Sequence, residues 1–234
     1  MKNAKKYSLK EVCFEITNTC ALSCVHCSNF NGSNENETYH SLQKIKMVIN
    51  ELAALGTNVL ELSGGEPLEH PDIFNVIRHA KNKGLRTILY TSGIISNSDG
   101  GIVSPSMAKE LQHFGLDSIV FNLQGSMPAI HEAITQSPGA FEKAIRSLTN
   151  ARSQGLHTAV HFVPMKPTYK DLSNTVKLCN KLGVNEIGIL RFVPQGRGRV
   201  NEKELALSQL ETLELMNIIT RLKQSSTKDY LSSD

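Results

Sequence analysis

The sequence predicts an α/β fold built on a parallel sheet, and three observations lead there. Apolar residues recur with period two over short segments and with period 3.6 over longer ones, the two patterns alternating along the chain. Glycines stand just past five of the longer segments, at Gly56, Gly84, Gly115, Gly155 and Gly183, where a residue at positive φ ends a helix. Polar residues gather at the C-terminal ends of the short segments: Thr17, Ser63, Thr91, Asn122 with Gln124, His161 and Arg191. Parallel α/β folds bind their ligands at that end.

The first strand is read over 11–17. There Val12, Phe14 and Ile16 form an apolar face that suits a covering helix, while Cys13, Glu15 and Thr17 make the other face partly polar and suggest a cavity. A helix over 40–55 and a strand over 58–62 come next, then a helix over 71–83 and a strand over 86–91. Further along lie a helix over 105–114, a strand over 117–123, a helix over 140–154 and a strand over 157–163. The pattern closes with a helix over 170–182, a strand over 186–190 and a last helix over 202–223. Six such units, joined by right-handed crossovers, close part of a parallel barrel or form an open doubly wound sheet, and the pattern admits both. Length favours one domain, expected over residues 1–223, with the polar, Ser-rich 224–234 as a disordered tail.

Composition narrows the function classes. With 40% hydrophobic and 20% charged residues the chain suits a water-soluble globular protein. Its 25 basic and 22 acidic residues are spread evenly, with no stripe to track a phosphate backbone, so nucleic acid is not expected as a partner. No apolar run approaches the roughly 18–20 residues that span a bilayer, and Glu11, Glu15 and Asn18 interrupt the segment after the basic N-terminus, so neither a membrane nor a signal peptide is expected. Five cysteines, an odd number with three crowded together, fit a reducing cytoplasm and a metal better than disulfides.

Cys20, Cys24 and Cys27 have the spacing C-x3-C-x2-C in a loop that comes directly after the first strand. A cluster of four irons held by thiolates ordinarily takes four cysteines, so three leave one iron open to an exchangeable ligand. Cys13, in a strand, and Cys179, in a helix, both read as small buried hydrophobes rather than a fourth ligand. A structural zinc site or a thiol redox site stands as the alternative, with His26 an awkward fourth zinc ligand. After the second strand comes Ser63-Gly64-Gly65-Glu66-Pro67, whose paired glycines allow close backbone approach and whose glutamate offers a carboxylate. Taken alone, the pentapeptide is equally an ordinary strand-to-helix turn.

Together these two motifs resemble the radical SAM superfamily, in which a C-x3-C-x2-C loop comes after the first strand and a Gly-Gly-Glu-Pro loop after the second. The resemblance implies a partial (βα)6 TIM-like barrel and an enzyme with two cofactors, a 4Fe-4S cluster at Cys20, Cys24 and Cys27 and S-adenosylmethionine. It implies that the open iron binds the methionine part of S-adenosylmethionine and that Gly64, Gly65 and Glu66 meet its amino group, flanked by Ser63 and Pro67. His26, before the third cysteine, then falls near the adenine, as does the loop from Pro194 to Gly198; Asn122 and Gln124 face the ribose. Ser92, in the segment from Tyr90 to Gly93, and Arg191 complete the cofactor-binding candidates.

The likeness is closest to the branch that carries a C-terminal SPASM or twitch domain, which includes peptide and sulfatase maturases. It implies hydrogen abstraction from a peptide, protein or small-molecule substrate, with an electron donor such as flavodoxin or ferredoxin. Two departures stand out. Asn122-Leu123-Gln124-Gly125 replaces the branch's usual Ser-Leu-Asp-Gly, and Thr135 stands where an arginine is common. No cysteine comes after Cys179, so the auxiliary-cluster domain is absent from this sequence, which is expected to be a short member or a truncation. A non-catalytic iron-sulfur or zinc protein is the rival reading. His161, Glu15 and Glu61 are candidates for shaping the cavity, none of them assigned as catalyst.

Overall fold

The computed structural model describes residues 9–29, 39–96, 98–225 and 231–233. Six strands recur with helices between them: β1 (Glu11–Thr17), β2 (Val59–Gly64), β3 (Arg86–Thr91), β4 (Ser118–Asn122), β5 (His157–Phe162) and β6 (Glu186–Ile189). A short β7 (Leu231–Ser233) is the last strand. The pairings between these strands are all parallel and the spatial order is the chain order, β1 to β7. A doubly wound sheet reverses its strand order to place helices on both faces; sequential order with right-handed crossovers places them all on one. The fold is therefore the open, barrel-like member of the two expected architectures.

Burial reflects this topology. Ile16, Leu62, Leu89, Phe121, Phe162 and Ile187 point to the helical side and join one core with Ile45, Val76, Leu111, Leu148 and Val176 from the covering helices. These belong to α1 (Leu42–Ala54), α2 (Ile73–Asn82), α3 (Pro105–His113), α5 (Ala140–Ser153) and α6 (Leu172–Leu182), while α4 (Pro128–Thr135) is a short extra helix before α5. Ser41 caps α1 by accepting from the Lys44 amide, and Ser104 caps α3 by accepting from Met107, with Pro105 in the first turn. The five predicted stop glycines all take positive φ, between 70° and 98°.

The opposite, concave face alternates out of register with that core and is polar over much of its area. Register places Cys13 beside Glu61, Glu15 beside Ser63 and Asn122 beside His161. Tyr90 Oη donates to Glu61 Oε1 at 2.5 Å and its ring lies 5.2 Å from that of His161. A barrel packed solid would fill this face with branched aliphatic side chains; here Cys13 and Glu15 are exposed and Glu61, Ser63, Tyr90, Asn122 and His161 half-buried, in keeping with the partly polar β1.

Three expectations are corrected. The region read as one helix over 202–223 is α8 (Glu202–Leu205) and α9 (Gln209–Ser225), parted where Ala206 is extended. Ser208 and Glu211 then form a reciprocal capping box: the Glu211 amide donates to Ser208 Oγ and the Ser208 amide to Glu211 Oε2. In the span expected to be disordered, Leu231–Ser233 pairs with β6, while 226–230 and 234 lie outside the described residues. Cys13, read as a buried hydrophobe, is exposed, because its position in the β1 alternation turns it to the concave face and away from the helices. No described helix is long and apolar enough to cross a membrane.

Candidate active site

The site lies where the β1 and β2 loops meet at the C-terminal end of the sheet. Gly65 N donates to Thr17 O at 2.7 Å and Glu66 N to Thr19 O at 2.6 Å, so the second loop is bonded to the segment that runs into Cys20. A Cβ on Gly64 would lie 2.2 Å from Thr17 O, and one on Gly65 2.2 Å from Thr19 O. Gly64 also has φ 139°, a value that L side chains rarely adopt. The paired glycines thus serve first to bring two backbones together, a demand that their spacing alone does not distinguish from the approach of a ligand.

Glu66 is fully enclosed. Its carboxylate accepts from Thr91 Oγ1 at 2.7 Å, from Ser92 N at 2.8 Å, from Ser92 Oγ at 2.7 Å and from Leu68 N at 3.3 Å. It therefore braces the β2 loop to the end of β3, with Pro67 buried in the turn after it. Burial pushes its carboxyl up to about 7, against the lowering effect of those donors. Ser63 stays on the concave face, where it hydrogen-bonds Cys13.

Cys20, Cys24 and Cys27 come together above this bracket. Cys24 packs with Leu22, Ile94 and Ala140, and Cys20 and Cys27 border the same apolar group. Burial pushes the Cys24 thiol up to about 12, and the charges of Cys20 and Cys27 add to this. Cys20 is raised to about 11, chiefly by burial. Thiols held this way become ligands when a metal's positive charge makes up for lost solvation. Leu22 N already donates to Cys20 Sγ and Asn29 N to Cys27 Sγ, each at 3.4 Å, an arrangement that stabilises thiolate sulfur. Among the described residues no three His, Cys, Asp or Glu side chains close on a point as a single ion needs. A four-iron cluster spreads its thiolates over separate irons, so the donor set fits a cluster. Cys13 sits lower on the concave face beside Glu61, and Cys179 is fully buried in the helical core, so neither supplies a fourth thiol.

The remaining candidates divide. Asn122 ends β4 on the concave face and accepts a short hydrogen bond from Gln124 Nε2. Gln124 itself is fully buried: its Oε1 accepts from Val163 N at 3.1 Å and its backbone N donates to His131 Nδ1 at 3.1 Å. It is a brace between β4 and β5, so of this pair Asn122 is the one with access to the cavity. Asp171, which no sequence motif singles out, pins the same loop by accepting from Ser126 N at 2.6 Å and Ser126 Oγ at 3.0 Å. Thr135 is buried with Oγ1 donating to His131 O, so it does not take the place of the missing arginine at the site. Arg191 is exposed beyond β6. His26 is enclosed with Nδ1 unpaired and is pushed down to about 4 by burial, helped by Arg197 and His131. The stretch from Pro194, read as a loop, contains α7 (Gly196–Val200), which seats on the cysteine loop.

Residues 14–179 match the family model described as Radical SAM superfamily. The chain belongs to the radical SAM superfamily. The family's cofactors are those the cysteine and glycine loops fit, a 4Fe-4S cluster and S-adenosylmethionine. Among curated relatives, the PqqA peptide cyclase of Ruegeria pomeroyi is 29% identical over 224 residues, covering 94% of this chain and 58% of that protein. The AdoMet-dependent heme synthase of Methanosarcina barkeri is 28% identical over 187 residues, covering 80% of this chain and 52% of its own length. The chain thus spans about half the length of the curated relatives it matches. In fold it is similar to Streptococcus suis SuiB bound to S-adenosylmethionine, with a TM-score of 0.78 and 14% identity over 97% of this chain and 51% of SuiB. SuiB has also been solved with its precursor peptide, SuiA, at a TM-score of 0.76 and 15% identity over 97% of this chain and 49% of that one.

Proposed function

We propose that this chain is the radical-generating core of a cytoplasmic enzyme that takes hydrogen from a side chain of a peptide or protein. The observation that carries the reading is the meeting of a three-thiol loop and a Gly-Gly-Glu loop at the mouth of a barrel whose inner face is polar over much of its area. When bound at a reduced cluster, S-adenosylmethionine supplies a 5′-deoxyadenosyl radical. The chain's own residues do the positioning. Cys20, Cys24 and Cys27 hold the cluster, and Gly64 and Gly65 offer backbone to the methionine part. Glu66, with Thr91 and Ser92, keeps that backbone rigid, and with the cofactor bound Asn122 would meet the ribose and His26 the adenine. An electron reaches the cluster from a small donor such as flavodoxin or ferredoxin.

The lining favours a peptide over the tetrapyrrole chemistry suggested by the heme-synthase relative. Glu15 and Glu61 fall on the concave face, where they oppose a polycarboxylate and suit a neutral or basic segment. Five free cysteines accord with a reducing compartment. The test is isotopic. The reconstituted chain is given S-adenosylmethionine, dithionite and side-chain-deuterated peptides translated from reading frames that adjoin its gene. Deuterium in 5′-deoxyadenosine is the expected result; deuterium arriving only from a labelled tetrapyrrole overturns the peptide reading.

A further inference from the structure

Arg197 lies 173 residues from Cys24 in sequence, yet its Nε donates to Cys24 O at 3.0 Å. It is one of three ties from a single short segment to the cysteine loop. Gly198 N donates to Cys27 O at 3.1 Å, and Asn201 Nδ2 donates to Val25 O at 3.1 Å. The fit leaves no room for side chains at the glycines: a Cβ on Gly196 would lie 2.1 Å from Ser28 O, and one on Gly198 2.9 Å from His26 O. Gly-Arg-Gly is a poor helix former, so α7 owes its shape to this contact rather than to propensity. The result is a guanidinium fixed against the loop that carries the ligands.

We infer that Arg197 is a positioning residue that raises the reduction potential of the cluster, by holding a permanent positive charge against the loop of Cys20, Cys24 and Cys27. Reduction adds one electron, hence one negative charge, to a cluster already surrounded by three thiolates. A nearby cation favours the reduced form over the oxidised one, and net charge, hydrogen bonding and solvent exposure are the protein's means of setting such potentials. Arg197 is half-buried, so its field is screened less than that of a surface cation. The inference rests on the reading that these three cysteines hold the cluster, and goes beyond it by naming what tunes the cluster's ease of reduction.

The test is a redox titration of the reconstituted chain without S-adenosylmethionine, monitored by the paramagnetic signal of the reduced cluster. In R197Q the reduction equilibrium shifts about tenfold toward the oxidised form, which is about 59 mV lower for a one-electron couple. R197K keeps most of the wild-type potential, and N201A, which cuts a neighbouring tie without changing charge, leaves it unmoved. R197M stands in if R197Q retains no iron. A loaded neutral variant at the wild-type potential overturns the inference, as does R197K shifting as far as R197Q. If neither neutral variant holds iron while R197K does, the charge serves retention and the inference fails. A wild-type chain without a cluster overturns the underlying reading as well, and that is seen before any variant is made.

Discussion

Replacing Gly65 with alanine isolates the claim that the glycine loop is shaped by the β1 segment and not by a ligand alone. The added methyl would start 2.2 Å from Thr19 O and must retreat by about 1.2 Å to reach ordinary contact, with backbone on the other side that has nowhere to swing. That retreat parts the 2.6 Å bond from Glu66 N to Thr19 O. Overpacking of this kind costs about 1–3 kcal/mol, and a buried backbone donor left unpaired costs about 1–3 more. For a chain of this size each kcal/mol moves Tm by about 2–4 °C, so G65A is expected to melt roughly 4–24 °C below wild type. The assay is thermal unfolding of the metal-free, reduced chain, where no cofactor contributes. G56A is the control: Gly56 has φ 81° with nothing within 4 Å of a built Cβ, so only the left-handed penalty applies, about 1 kcal/mol. If G65A melts no lower than G56A, the steric reasoning is refuted.

Other consequences are as direct. Glu66 has a folded pKa of about 7 against an ordinary 4.5, so the native state holds the extra proton and this group's contribution to stability is lost as pH rises from 4.5 to 7. His131, pushed down to about 4 by burial, acts in the opposite sense between about 4 and 6.5, so the informative quantity is the difference between wild type and E66Q. In denaturant titrations the stability of wild type minus that of E66Q is expected to fall as pH rises across the window; a constant or rising difference counts against a buried, proton-retaining Glu66. Q124A removes the buried brace to Val163 as well as the bond to Asn122 and is expected to lower stability by about 1–3 kcal/mol, while N122A breaks only the second of these, lowers Tm less, and weakens S-adenosylmethionine binding in calorimetry. The reverse ranking would mean that their roles are exchanged. D171N keeps shape but loses charge-assisted bonds from Ser126, at about 1–3 kcal/mol, with faster hydrogen exchange in the β4 loop as the local sign.

Much of this arrangement is legible in the sequence, and the misses have physical causes. Alternation bounded by polar residues places β1 and β3 at their observed limits, and a side-chain period of two marks Cys13 and Glu15 as facing a cavity. α4 escapes because it is eight residues long, opens at Met127 without a capping side chain, and has Pro128 as its main signal. α7 carries almost no helical propensity and forms only where the cysteine loop meets it. The break before α9 has a local signal in the Ser208-x-x-Glu211 capping box, which the apolar periodicity on either side overrides. At the site, the cysteine and glycine spacings name the parts, yet only tertiary structure separates Asn122, which meets the cavity, from Gln124, which does not. Arg197 stands in plain view within Gly-Arg-Gly, but nothing in local sequence says that it reaches back to Cys24.

The central claim is that Cys20, Cys24 and Cys27 hold a cluster that cleaves S-adenosylmethionine. Anaerobic reconstitution, then dithionite and S-adenosylmethionine, tests it in one preparation, with product analysis beside iron counting. The account predicts about four irons per chain, 5′-deoxyadenosine as product, and loss of both in C24A but in neither C13S nor C179A. Near-stoichiometric zinc with iron refused, or C24A retaining the wild-type spectrum and product, would contradict it.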